Sequence, residues 1–149
     1  MSSDNTSIGI TIYYAQMKSK QDMQSALKVC SPKFQLISPT FNSNLKGEEK
    51  VLIGMNRFYE LFPDYKVHVE DVIGQKNKVL MTGKVSLTPN AGFLKTNKEY
   101  TTAQCQFSAN FTFENNMISK EIFVLDLLDL CLQSGWEIEK AAYFFNRKQ

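Results

Sequence analysis

Histidine is nearly missing from this chain of 149 residues, which has one, His68, and cysteine is scarce, at Cys30, Cys105 and Cys131. There is no CxxC pair, and a zinc site needs three or four close nitrogen or sulfur ligands, so no metal site is expected. An odd number of widely spaced cysteines makes no disulfide framework; free, mostly buried thiols are expected. A GxGxxG run and a phosphate-binding Gly-Lys loop are both lacking, so no cofactor is expected. No apolar run approaches the roughly 20 residues of a membrane-spanning helix. Residues 1–6 are polar and lack the basic start and apolar stretch of a secretory signal, which predicts a cytoplasmic protein. A surplus of one charge is also missing: the formal net charge is +2, and the lysines of residues 46–50 and 76–78 are interrupted by Gly, Glu and Asn. Nucleic-acid binders concentrate basic residues on one face, so neither a nucleic-acid nor a membrane partner is expected.

What is present is apolar bulk, 43% of the chain, enough to give one domain of residues 1–149 a real core. The first half reads as helical. Over residues 7–18, Ile8, Ile12 and Ala15 form a stripe, with Ile10, Tyr14 and Met17 beside it. Met23, Ala26, Leu27 and Cys30 make one face of a second helix, with Ser19 as its cap, Asp22 near its positive end and Pro32 closing it. A short strand over 33–37 precedes a loop that ends at Gly47. Residues 48–61 form the clearest helix: Val51, Met55, Phe58, Tyr59 and Phe62 recur at helical spacing, and Pro63-Asp64 stops it.

From Tyr65 the period switches from 3.6 to 2. Val67, Val69 and Ile73 share one strand face, opposite His68 and Glu70. A second strand carries Val79, Met81, Val85 and Leu87, and residues 89–92 break the chain. In 101–113, Ala103, Cys105, Phe107, Ala109, Phe111 and Phe113 face one way. Gln104, Gln106, Ser108 and Asn110 face the other, as a solvated face or a dimer surface. Asn115-Asn116 predicts a tight hairpin. The strand over 118–125 is apolar on both faces and so central or doubly covered. A short helix over 126–132 stops at Gly135, and Ile138, Ala141, Ala142 and Phe145 predict a helical tail over 136–149. Helices followed by a run of antiparallel strands give an α+β fold.

Four stretches carry a resemblance: Gly47 with its helix; Phe62-Pro63-Asp64 leading into VHVEDVIG at 67–74; FTFENNMI at 111–118; and Asp126 seven residues before Gln133-Ser134-Gly135. In this order the chain resembles the SnoaL-like polyketide cyclase family of the nuclear-transport-factor-2-like superfamily, over a core of about residues 7–135. The resemblance implies a cone-shaped roll of curved antiparallel sheet, with N-terminal helices enclosing a deep pocket for a small apolar molecule, and often a homodimer. It covers cyclases, isomerase-like enzymes, hydrolases and members without known activity. Active cyclases carry a His-Trp-Asp-like run on the last long strand. Glu121, Ile122 and Phe123 stand there in this chain, so Phe123 replaces the family's aspartate.

A pocket enzyme of this kind needs a carboxylate in an apolar setting, where desolvation makes it a usable acid or base. Asp126, between Ile122-Phe123-Val124-Leu125 and Leu127-Leu128, is the first candidate, and its other role is a helix cap. Glu121 is the second, and its alternative is a surface salt bridge. His68 alternates with Val67 and Val69, which argues for a half-exposed strand residue. Tyr14, Phe58, Tyr59, Phe62, Phe107, Phe111 and Phe123 are candidates for the pocket wall, and the same residues can be plain core. Tyr14 or Tyr59 can donate to a ligand carbonyl or to backbone. The functional expectation is a small-molecule pocket protein, with or without catalysis by a pocket carboxylate; the alternative is a dimeric accessory module.

Overall fold

Where the apolar period is 3.6 the chain coils, and where it is two it pairs into a sheet. A computed structural model describes residues 3–147, with side chains described from residue 5. The elements in chain order are α1 (Ser3–Ser19), α2 (Met23–Leu27), β1 (Cys30–Ser38), β2 (Ser43–Lys46), α3 (Glu48–Leu61), β3 (Lys66–Gln75), β4 (Lys78–Leu87), α4 (Ala91–Leu94), β5 (Ala103–Glu114), β6 (Met117–Leu125), α5 (Leu127–Ser134) and α6 (Ile138–Asn146). The expected tail residues 148 and 149 lie outside the described residues, as do residues 1 and 2 of the polar start.

The strands form one curved, open sheet of six in the order β2-β1-β6-β5-β4-β3. The fold is α+β as expected, with one change: β1 pairs with β6 in parallel, Leu36 beside Glu121 and Ile37 beside Ile122, so the sheet is mixed. That pairing makes β6 an inner strand, flanked by β1 and β5, with one face buried and Val124 exposed on the other. β5 alternates buried and solvent-facing residues along its length, as its sequence predicts. Asn115 and Asn116 both adopt positive φ, 52° and 64°, and close the β5–β6 hairpin.

Five local expectations are corrected. Cys30 and Pro32 belong to β1 rather than to a second helix, and the β1–β6 register slips between Cys30 and Gln35 around the proline, which has no N–H for the ladder. Asp22, not Ser19, caps α2, accepting from Ser25 N at 3.1 Å; the Ser19 hydroxyl accepts instead from Val67 N at 2.9 Å. The expected loop before Gly47 contains β2. In β3, Glu70 is an extra residue between the Val69–Gly83 and Asp71–Thr82 pairs, so the parity flips. Val72 therefore turns inward and Ile73 is 66% exposed. Gly83 permits this bulge, because a Cβ there would lie 2.1 Å from the His68 carbonyl oxygen. Finally, the buried stripe of α1 is Ser7, Thr11, Tyr14, Ala15 and Lys18, not Ile8 and Ile12, which are half-buried. Thr11 satisfies its hydroxyl on Ser7 O at 2.8 Å, and Lys18 finds its partner in the sheet.

Candidate functional site: a cavity with a buried ion pair in its wall

Tyr14 and Lys18 are four residues apart on α1 and so share one helix face. Below them lies β6, where Glu121 and Phe123 share a strand face. Pairing sets Glu121 opposite Phe111 of β5 and Leu36 of β1, in an apolar layer. Its side chain is 2% exposed, and both carboxylate oxygens are hydrogen-bonded. Oε1 accepts from Tyr14 Oη at 2.6 Å and from Lys18 Nζ at 3.4 Å; Oε2 accepts from Lys18 Nζ at 3.2 Å. Lys18, itself buried, also lies 4.5 Å from the centroid of the Phe123 ring, a cation–π contact. Tyr59 donates its hydroxyl to Lys18 O at 2.7 Å and ties α3 to the same turn of α1. Burial, and after it the charge of Glu121, pushes the Tyr14 hydroxyl well above the ordinary tyrosine value, so Tyr14 remains a donor. The same causes raise Tyr59 and Tyr65.

Beside this pair opens a cavity of about 350 Å³, within the roughly 300–1,000 Å³ of small-molecule sites. Its inner wall is Lys18, Leu36, Met55, Leu61, Tyr65 and Phe123. Aromatic rings close one side: Phe41, Phe58 and Phe93, with Phe144 and Phe145 from α6. Phe145 packs on Phe41 at 4.9 Å and on Trp136 at 5.5 Å, and its carbonyl accepts from Asn42 Nδ2 at 3.2 Å. The outer rim carries the exposed residues Asn42, Asn44, Arg57 and Arg147. Two lining residues, Ser38 and Tyr65, have buried hydroxyls with no hydrogen-bond partner among the described residues. A buried unpaired hydroxyl is costly, about 1–3 kcal/mol, so such groups in a cavity wall are what a polar ligand atom would satisfy.

The sequence-derived candidates scatter relative to this cavity. Phe58 and Phe123 line it. Tyr14, Tyr59, Phe62, Phe107 and Phe111 are buried in the packing around it and are not part of its wall. Glu121 sits behind Lys18 rather than in the wall, buried and paired, not at the surface. Asp126 is exposed, away from the cavity: its Oδ1 accepts from Asp129 N at 3.1 Å and caps α5. His68 is exposed on the outer face of β3. The three cysteines are free and buried; burial first, and then nearby carboxylates, pushes Cys105 up to about 11. Lys18, Arg57 and Ser38 were not legible as site residues, although the four-residue spacing of Tyr14 and Lys18 was there to be read.

The model of the SnoaL-like polyketide cyclase family matches residues 10–134. The chain belongs to this family. The match ends before α6, so the Phe144–Phe145 wall is contributed from beyond it. Comparison with curated proteins finds no match. Among solved structures, a protein assigned as a SnoaL-like polyketide cyclase from Jannaschia sp. CCS1 superposes with a TM-score of 0.78 at 15% identity, over 90% of this chain and 94% of that one. A protein of ketosteroid isomerase-like fold from Catenulispora acidiphila DSM 44928, in complex with trimethylamine, gives 0.77 at 10%, over 87% and 95%. An LEH-like epoxide hydrolase of M. tuberculosis gives 0.71 at 11%, over 89% and 91%. At these identities the likeness establishes the fold and leaves the chemistry to the site.

Proposed function

We propose that this protein binds a small, largely apolar molecule in the cavity, holding it by shape and by the donor of Lys18. The observation that carries this reading is an apolar-walled space of about 350 Å³ in which Lys18 lies against the buried carboxylate of Glu121. An ammonium has three donors. Both oxygens of Glu121 occupy Lys18, and among the described residues it has no other hydrogen-bond partner. A donor therefore remains for a ligand carbonyl or hydroxyl, next to the unpartnered hydroxyls of Ser38 and Tyr65.

Binding rather than turnover is the reading favoured by the state of Glu121. A general base needs a lone pair within reach of the substrate proton, and this carboxylate is tied to Tyr14 and Lys18 behind the cavity wall. Asp126 caps a helix outside the cavity.

The test uses the neutral fluorophore N-phenyl-1-naphthylamine with wild type and Ser38→Phe. The substitution fills the cavity with a ring and removes an unpaired hydroxyl, so the fold should be kept. Wild type should bind with a fluorescence rise and gain stability, about 2.7 kcal/mol at a hundredfold excess over Kd. Ser38→Phe should do neither. Wild type that fails to bind, or a variant that binds equally well, refutes the reading.

A further inference from the structure

Among the described residues, the charged side chains in the cavity wall are all cationic. Lys18 lies at the inner end, and Arg57 and Arg147 at the rim; among the described residues no Asp or Glu lines it. This imbalance is local, since the whole chain carries only +2. The rim arginines are also held in place. The Arg57 guanidinium lies 5.3 Å from the centroid of Phe93, and that of Arg147 lies 5.8 Å from the centroid of Phe144. Those two rings meet edge to face at 6.3 Å, so α3, α4 and α6 bring both cations to one edge of the opening. Arg57 makes no hydrogen bond or salt bridge among the described residues, and its ring contact leaves the guanidinium edge available. Exposed Asn42 and Asn44 add amide donors on the same rim.

We propose that the ligand is an amphipathic anion: an apolar body in the cavity and a carboxylate, sulfonate or phosphate group at the rim, met by Arg57. The claim rests on the cavity being a ligand site and adds the charge of the ligand to it. The apolar walls exclude a highly polar metabolite, because most of its surface would be desolvated without partners. A planar guanidinium matches an oxyanion with two parallel donors. Lys18, by contrast, is already neutralised by Glu121 and needs only a neutral acceptor.

A matched pair of probes separates the two claims. 8-Anilino-1-naphthalenesulfonate and N-phenyl-1-naphthylamine share one ring system and differ in the sulfonate. Titrations on the full chain should give the anionic probe about tenfold tighter binding, a preference that high salt erodes. The Arg57→Gln variant should lose most of that preference, read as the ratio of the two probes' Kd values. Arg57 is exposed, so the fold should tolerate the change. If the neutral probe binds but the anion binds no better, or if the preference survives in Arg57→Gln, the charge inference is wrong while the cavity reading stands. If the neutral probe does not bind to wild type, or binds undiminished to Ser38→Phe, the cavity reading falls and takes this proposal with it.

Discussion

Replacing Glu121 by glutamine should be among the most damaging isosteric changes available in this protein. The amide oxygen can still accept from Tyr14, so that hydrogen bond survives; what disappears is the negative charge. The Lys18 side chain is 5% exposed and would then hold an unpaired ammonium over the Phe123 ring. Breaking a buried pair in this way costs about 3–5 kcal/mol, far more than the pair contributes relative to apolar residues. Lys18 borders the cavity, and water there can take part of its charge, which places the expectation at the lower end, about 3 kcal/mol. For a chain of this size that is roughly 6–12 °C in Tm. Urea melts should show the loss with an unchanged m-value. The companion variant Lys18→Met/Glu121→Gln removes both charges and should recover about 2 kcal/mol of the loss. Glu121→Gln within about 1 kcal/mol of wild type, or a double variant no more stable than the single one, would mean that Lys18 is solvated and that the pair is not a buried charge pair.

Three further outcomes follow from the geometry. Asp126→Ala should cost about 1 kcal/mol through loss of the α5 cap, Asp126→Asn much less, and neither should change binding of N-phenyl-1-naphthylamine; weakened binding in Asp126→Asn would return this residue to the site. Gly83→Ala should cost at least about 2 kcal/mol in a urea melt, since its Cβ meets the His68 carbonyl oxygen and strands β3 and β4 must part; a neutral substitution would contradict the bulge. Tyr14, Tyr59 and Tyr65 are raised above the ordinary value of 10.0 by burial first. Below pH 10 both states keep these protons and stability is unaffected. Above it the unfolded chain releases them while the folded chain cannot, so stability should fall by roughly 4 kcal/mol per pH unit for the three together. Tyrosinate absorbance followed through the transition should show these three ionising only on unfolding, and early ionisation in the native state would refute the burial argument.

The parts of this fold that were legible in the sequence are those decided within ten or fifteen residues. The alternation of β5, the helix over residues 48–61, the Asn115-Asn116 turn and the stop at Gly135 depend on local period and local φ, and each is where it was expected. The misreadings have a common cause in distant partners. Ser7, Thr11 and Lys18 look like the outer face of an amphipathic helix, and Lys18 is inside only because Glu121, 103 residues later, meets it. Cys30 fits a helical stripe, but parallel pairing with Ile118 draws it into β1. Glu70 carries no sign of being an extra residue until it is set against Gly83. Asp126 drew attention as a lone charge in an apolar run, yet such a run interrupted by an aspartate is also how a buried strand hands over to a capped helix.

The replacement at Phe123 then acquires a physical meaning. The resemblance places a family aspartate at this position, and an aspartate here would put a second carboxylate beside Lys18. With phenylalanine, Lys18 has one carboxylate and one aromatic face as its neighbours. Glu121 neutralises the ammonium from behind, and the ring supports it without competing for its donors, because a π-face attracts the charge but accepts no strong hydrogen bond. The arrangement turns the inner wall from one that would hold a base into one that presents a donor. Together with Arg57 at the rim, the cavity offers donors and positive charge to its contents, and among the described residues no carboxylate lies in its wall. A site of that character suits holding an electron-rich ligand better than taking a proton from one, and it is on these side chains that the proposed binding function is argued.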